Sequence, residues 1–373
     1  MPGTPTTIRR RLHRVFAVAV GGLLAATATA APARADVGDL TEFPVTTPAS
    51  GPAGITAGPD RALWFTESEA NRIGRITTGG VVTDFPVPTP SSFPFEITEG
   101  PDGALWFTQG AADRIGRITT DGAVSEVSLP VPGTFPLGIA LGPDRALWFT
   151  ENGTNKIGRL GRDGTVTEYP VPTPDSFLYR IAAGPGGLWF TELLAGKIGR
   201  IDLRGNITEF PLPAGTDFPT DIAAGPGGMW FTADDEIGRI TPRGDVDVYP
   251  LANAFSGADS ITRGPDGAMW FTEQSGRYGR ITATGRITEY EVPGGADKVP
   301  FGIATGPDRN IWFTELFGNA VGRVRALPGR GRVVVVPPAG ARTPQEPVRG
   351  RQAPPRTPGQ ALHPVLMQRL HRR

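Results

Sequence analysis

The chain has 373 residues, with 37 basic and 37 acidic side chains, three histidines and no cysteine. Disulfides, thiolate metal sites and thiol nucleophiles are therefore excluded, and a net charge of zero argues against a nucleic-acid or anionic-membrane binder. The 51 Gly and 39 Pro approach the level of low-complexity chains, but 39% of the residues are hydrophobic and the Gly and Pro recur in register with aromatics, which points to a folded core.

Residues 1–35 carry Arg9, Arg10, Arg11, Arg14 and Arg34 and no acid. The run Val15 to Ala31 is apolar or small, and Ala33-Arg34-Ala35 follows. A basic start, a short apolar stretch and an A-x-A site make a secretory signal peptide, cleaved before Asp36. The expected protein is secreted, with no membrane attachment once the leader is gone.

From Trp64 onward the dipeptide Trp-Phe returns at Trp106, Trp148, Trp189, Trp230, Trp270 and Trp312, at intervals of 40 to 42, and uses every tryptophan in the chain. Each copy follows a Gly-Pro pair, as in Gly58-Pro59-Asp60. Each precedes an Ile-Gly-Arg-type segment, as in Ile73-Gly74-Arg75, and a Thr-Glu-Phe-Pro-type segment, as in Thr208-Glu209-Phe210-Pro211. A period near 41 built of short strands predicts an all-β fold, a seven-bladed β-propeller with four-stranded blades over residues 36–325. The Gly-Ile-Thr-type segment reads as the inner strand. Gly-Pro-Asp reads as a tight turn whose Asp caps the next amides. Ala-Leu-Trp-Phe-Thr reads as a strand buried on both faces, with Trp filling the gap between blades. The Gly of Ile-Gly-Arg is expected to pack against that Trp, and the Pro after Glu-Phe suits an outer edge strand.

Seven outer-strand segments occur, but the first, Thr41–Pro44, precedes the first Trp-Phe and none follows the last. The N-terminal strand should therefore complete the last blade and close the ring, removing an exposed edge. Residues 326–373 hold nine Arg, nine Pro and one Glu without a period and read as a disordered tail. With both ends set aside, 36–325 keeps 36 acidic and 23 basic residues, so the propeller itself is strongly acidic. That balance suits a cation or cationic ligand and weighs against nucleic acid.

These units, typified by GITAGPDRALWFTESEANRIGRITTGGVVTDFPVPTP, closely resemble the streptogramin B (virginiamycin B) lyase family over residues 41–325. The resemblance implies a metal-assisted β-elimination that opens a cyclic depsipeptide lactone. A histidine in a Pro-His-x-Ile segment removes the Cα proton, a second histidine sits at the same place in the preceding blade, and glutamates hold Mg²⁺. The chain departs at that point. Two residues before each inner-strand Ile stand Ala53, Phe95, Leu137, Tyr179, Thr220, Asp259 and Phe301. His13, His363 and His371 all lie in the ends, and Val299 stands where the family has an acid two positions before its base.

What remains is a set of carboxylates expected to converge on one face, with raised pKa values or a bound cation. Glu67, Glu151, Glu192, Glu273 and Glu315 each follow Trp-Phe-Thr, and Glu96, Arg180, Asp221 and Asp259 stand before inner strands. Glu315 and Glu273 are the metal candidates, for Mg²⁺ or alternatively Ca²⁺. Asp259 is the substitute base, and Phe301, Tyr179 and Arg180 are assigned to substrate. The arginines of Ile-Gly-Arg are expected to pair with blade carboxylates rather than form an anion site. Two functions stand: a lyase acting on a lactone or cyclic peptide, or a non-catalytic monomer binding a cell-wall or cationic ligand on its acidic face.

Overall fold

The computed structural model describes residues 36–253 and 255–328. The leader at 1–35 and the tail from 329 onward lie outside the described residues. The described chain forms seven four-stranded antiparallel sheets. The first blade runs Pro52–Ala57, Ala62–Glu67, Arg72–Thr77 and Val82–Pro86 in spatial order, and the next five repeat that order over 94–128, 136–170, 178–211, 219–250 and 258–291. In the seventh sheet, Pro300–Thr305, Ile311–Glu315 and Ala320–Val324 are followed by Leu40–Pro44. Thr41 is opposite Arg323 and Phe43 opposite Val321.

Second strands read LWFTE-like and are buried along almost their whole length, Trp106 of blade 2 being half-buried, because a neighbouring blade covers each face. Trp64 packs into the layer between blades 1 and 2 with Ile97, Leu105 and Phe107. Trp312 does the same between blades 7 and 1, with Val45, Ile55 and Leu63. Burying such a side chain contributes roughly 1.5–3 kcal/mol, repeated around the ring. The Gly of Ile-Gly-Arg, however, lies under the Phe, not the Trp. Gly74 is opposite Phe65 in the ladder, and a Cβ there would sit 2.2 Å from the ring.

The Gly-Pro-Asp turn ties three residues of a blade together. Asp60 Oδ1 accepts from Trp64 Nε1 at 3.0 Å and Oδ2 from Arg75 Nε at 2.6 Å, while the guanidinium lies over the indole. Burial opposes ionisation of Asp60, but these hydrogen bonds hold its pKa below the usual carboxylate value. Arg117, Arg159 and Arg280 make the same ion pair with Asp102, Asp144 and Asp266. Blades 4 and 5 have Gly-Pro-Gly instead, so Trp189 and Trp230 donate to the carbonyls of Pro185 and Pro226. Arg239 pairs with Asp247, whereas Arg200 and Arg323 reach carbonyls.

Every inner strand carries the same one-residue bulge. Pro52 faces Glu67 but Ile55 faces Phe65, so two residues, Ala53 and Gly54, stand opposite Thr66. The bulge strands one amide. Gly54 N donates to Thr66 Oγ1 at 3.0 Å, and that hydroxyl donates onward to Phe95 O of the next blade at 2.8 Å. All seven Trp-Phe-Thr threonines make this bridge, ending with Thr314 to Ala53 O at 2.6 Å. A hydroxyl is needed because the group must both accept and donate within a buried layer.

Candidate functional site

The bulges build the axis in two tiers. The residue just before the inner-strand Ile lines a small axial cavity of about 100 Å³, among them Glu96, Gly138, Arg180, Asp221, Ser260 and Gly302. Glu96, Arg180, Asp221 and Asp259, expected to stand before the inner strands, lie inside them. The residue two before the Ile forms the tier above. Ala53, Phe95, Leu137, Tyr179 and Phe301 pack into one cluster, none more than 2% exposed. Phe95 meets Tyr179 at 5.8 Å and Phe301 edge-on at 5.9 Å, so three blades contribute to one aromatic plug. Phe93 and Phe135 extend it from left-handed backbone conformations, φ 56° and 45°. Such conformations cost of order 1–3 kcal/mol each, which ring burial offsets.

Arg180 is 4% exposed beneath this plug. Its guanidinium lies 5.1, 5.4 and 5.5 Å from the rings of Phe95, Tyr179 and Phe301 and pairs with Glu96. Asp221 accepts the amides of Ile222 and Ile261 at 2.8 and 2.9 Å. Burial raises the pKa of Asp221, and Arg180 counteracts it. Asp259, 1% exposed, accepts from Gln274 Nε2 at 2.8 Å. Burial pushes its carboxyl up to about 7, against the pull of Arg180 and Gln274. Burial likewise raises the Tyr179 phenol. The axis thus brings Asp259, Tyr179, Arg180 and Phe301 together around a cation supplied by the protein. Sequence reading missed Gln274 and Ser260, which follow no repeat consensus.

The carboxylates after Trp-Phe-Thr do not converge. By strand alternation each shares the face of its Phe, on a second strand and not on an inner one, and among the described residues no three His, Cys, Asp or Glu side chains gather in a metal-holding group. Their pKa values are raised, but chiefly by burial. Glu67, Glu151 and Glu192 rise to about 7 and Glu273 to about 8. Glu315 rises to about 8 from burial and from sharing with Glu42, and Lys298 lies 3.5 Å from it. Glu273 has Glu289 and Arg277 as charged neighbours. An ammonium beside one candidate and a guanidinium near the other do not fit a shared divalent-cation site.

A family model described as the virginiamycin B lyase family matches residues 25–252 and 229–342. The chain belongs to this family. A selenomethionine-substituted virginiamycin B lyase from Staphylococcus aureus is 36% identical, with a TM-score of 0.73 covering 78% of this chain and 99% of that one. A catalytically inactive His-to-Ala variant of the S. aureus enzyme, solved with quinupristin, is 35% identical over the same shares, also at 0.73. The virginiamycin B lyase of Saccharopolyspora erythraea is 52% identical over 42 residues, which is 11% of this chain and only 14% of the relative. Residues 36–328 of this chain contain no histidine.

Proposed function

We propose that this member of the virginiamycin B lyase family is an extracellular binding propeller and not a histidine-dependent lyase. The observation that carries the reading is the plug. At Pro300-Phe301-Gly302-Ile303, where resemblance puts the base, stands a fully buried phenyl ring. Elimination breaks a Cα–H and a C–O bond and forms C=C and a carboxyl group, so a base must reach that proton. Phe301 has no lone pair to offer, and Asp259, in the same tier, is 1% exposed. The basic-apolar leader supports export, and the excess of acid over base in 36–325 supports a cationic ligand. With Lys298 beside Glu315 and Arg277 near Glu273, these carboxylates do not fit Mg²⁺.

Incubating the purified chain with quinupristin, with and without Mg²⁺, tests this. The ligand should be recovered unchanged. A Mg²⁺-dependent ring-opened isomer of equal mass would refute the reading.

One observation favours a second reading, in which Asp259 is the base of a lyase. Its carboxyl, pushed up to about 7, is poised to hold and release a proton near neutrality. It requires the plug to open, and Asp259→Asn would then abolish any turnover found while the wild type retains it.

A further inference from the structure

The sevenfold pattern is broken once on the face opposite the plug. In six blades the outer strand carries Phe or Tyr that stacks on the Trp of its own blade, with centroids 5.5–6.1 Å apart and planes within 19°. The other side of each ring rests on a left-handed Gly in the next blade's outer turn. At Gly122, a Cβ would lie 2.2 Å from the Phe85 ring, and a Cβ on Gly38, Gly80, Gly205, Gly244 or Gly285 would lie 2.2–2.5 Å from its ring. Each ring is thus held between an indole and a bare backbone.

Blade 2 has Val127 at this position. Trp106 is consequently the one tryptophan that is not fully buried, while the other six are 0% exposed. A Cβ on Gly164, the matching turn glycine, would meet nothing within 4 Å. Between Trp106 and Gly164 opens a cavity of about 220 Å³, walled by Val127, Leu147 and Leu160. An engineered apolar cavity of ~150 Å³ takes up benzene, so one planar ring fits with room for a substituent. Arg145 and Arg162 also line it. The single carboxylate there, Asp102, is already engaged by Trp106 Nε1 at 3.0 Å and Arg117 at 2.6 Å.

We propose that the slot between Trp106 and Gly164 binds a planar aromatic small molecule bearing a carboxylate, its ring taking the place that Phe or Tyr fills in the other blades. The ring stacks on the indole, and the acid meets the two arginines at the rim. The tail cannot supply the ring, since 329–373 contains no Phe, Tyr or Trp.

Calorimetric titration of the full chain with indole-3-acetate, neutral indole and non-planar cyclohexylacetate tests the proposal. Indole-3-acetate should bind, and cyclohexylacetate at least about tenfold more weakly. Val127→Phe should reduce indole-3-acetate binding by about tenfold or more and raise the melting temperature, because it restores the internal stack. A double Arg145→Ala, Arg162→Ala variant should weaken the acid and leave indole unchanged. Undiminished binding by Val127→Phe, equal binding of cyclohexylacetate, or no binding of indole-3-acetate by the wild type would each overturn it. Should Val127→Phe fail to fold, Val127→Tyr repeats the test, since three blades use Tyr there. Failure of both to fold would also overturn it, because the slot would then not be ring-shaped.

Discussion

Replacing Thr314 by Val removes one hydroxyl and changes the side-chain shape little. That hydroxyl accepts from Gly302 N at 3.0 Å and donates to Ala53 O at 2.6 Å, joining blade 7 to blade 1 at a site with no solvent exposure. Valine leaves a buried N–H and a buried C=O unpaired, at about 1–3 kcal/mol each. The added methyl returns about 1 kcal/mol. The net loss should be about 3 kcal/mol, which for a domain of this size lowers the melting temperature by roughly 5–10 °C. Thr314→Ser keeps the hydroxyl and should lose less. Thr66→Val, at the equivalent bridge between blades 1 and 2, should match Thr314→Val, since its two distances are 3.0 and 2.8 Å. Thermal melts by circular dichroism read all three. A drop below about 2 °C for Thr314→Val beside a large drop for Thr66→Val would refute the bridging role at the 7–1 junction.

Deleting residues 36–46 removes the strand paired with Ala320–Val324 and the Phe43 ring stacked 5.6 Å from Trp312; a lost or strongly broadened cooperative melt is expected, and an unchanged melt would sink the idea that this strand closes the ring. Stability should also fall as pH rises from about 5 to about 8.5. The buried glutamates have native pKa values above their ordinary 4.5, up to about 8 for Glu273, so the native state holds more protons than the unfolded chain across that window. Glu273→Gln should flatten the slope at constant ionic strength; a melting temperature that climbs with pH in this range would contradict the burial argument.

The blade count and the strand content of each segment were legible because Trp-Phe, Gly-Pro and Ile-Gly-Arg recur at fixed intervals, and periodicity survives without knowledge of contacts. The plug was not. Phe95, Tyr179 and Phe301 are far apart in sequence and meet only because the ring closes and a bulge turns each toward the axis. The carboxylates were misread for a related reason. Glu67 looks free to reach the axis, but alternation along Ala62–Glu67 puts it on the face of Phe65, which packs in the layer between blades 7 and 1. Thr66 was visible as consensus, yet its bridging role follows only from the amide stranded by the bulge. The Val127 break was open to view in the series Phe43, Phe85, Val127, Tyr169, Phe210, Tyr249, Tyr290, where a single aliphatic interrupts six aromatics. Its consequence needed the neighbouring glycine to be seen.

Whether the propeller opens quinupristin decides between binding and catalysis. Prolonged incubation at high protein concentration with Mg²⁺, followed by chromatography and mass spectrometry, should return the intact ring, because Phe301 stands where the family resemblance puts the base and Arg180 occupies the axis beneath it. A product of identical mass but altered retention, carrying a new carbon–carbon double bond and abolished by chelation of the metal, would contradict it.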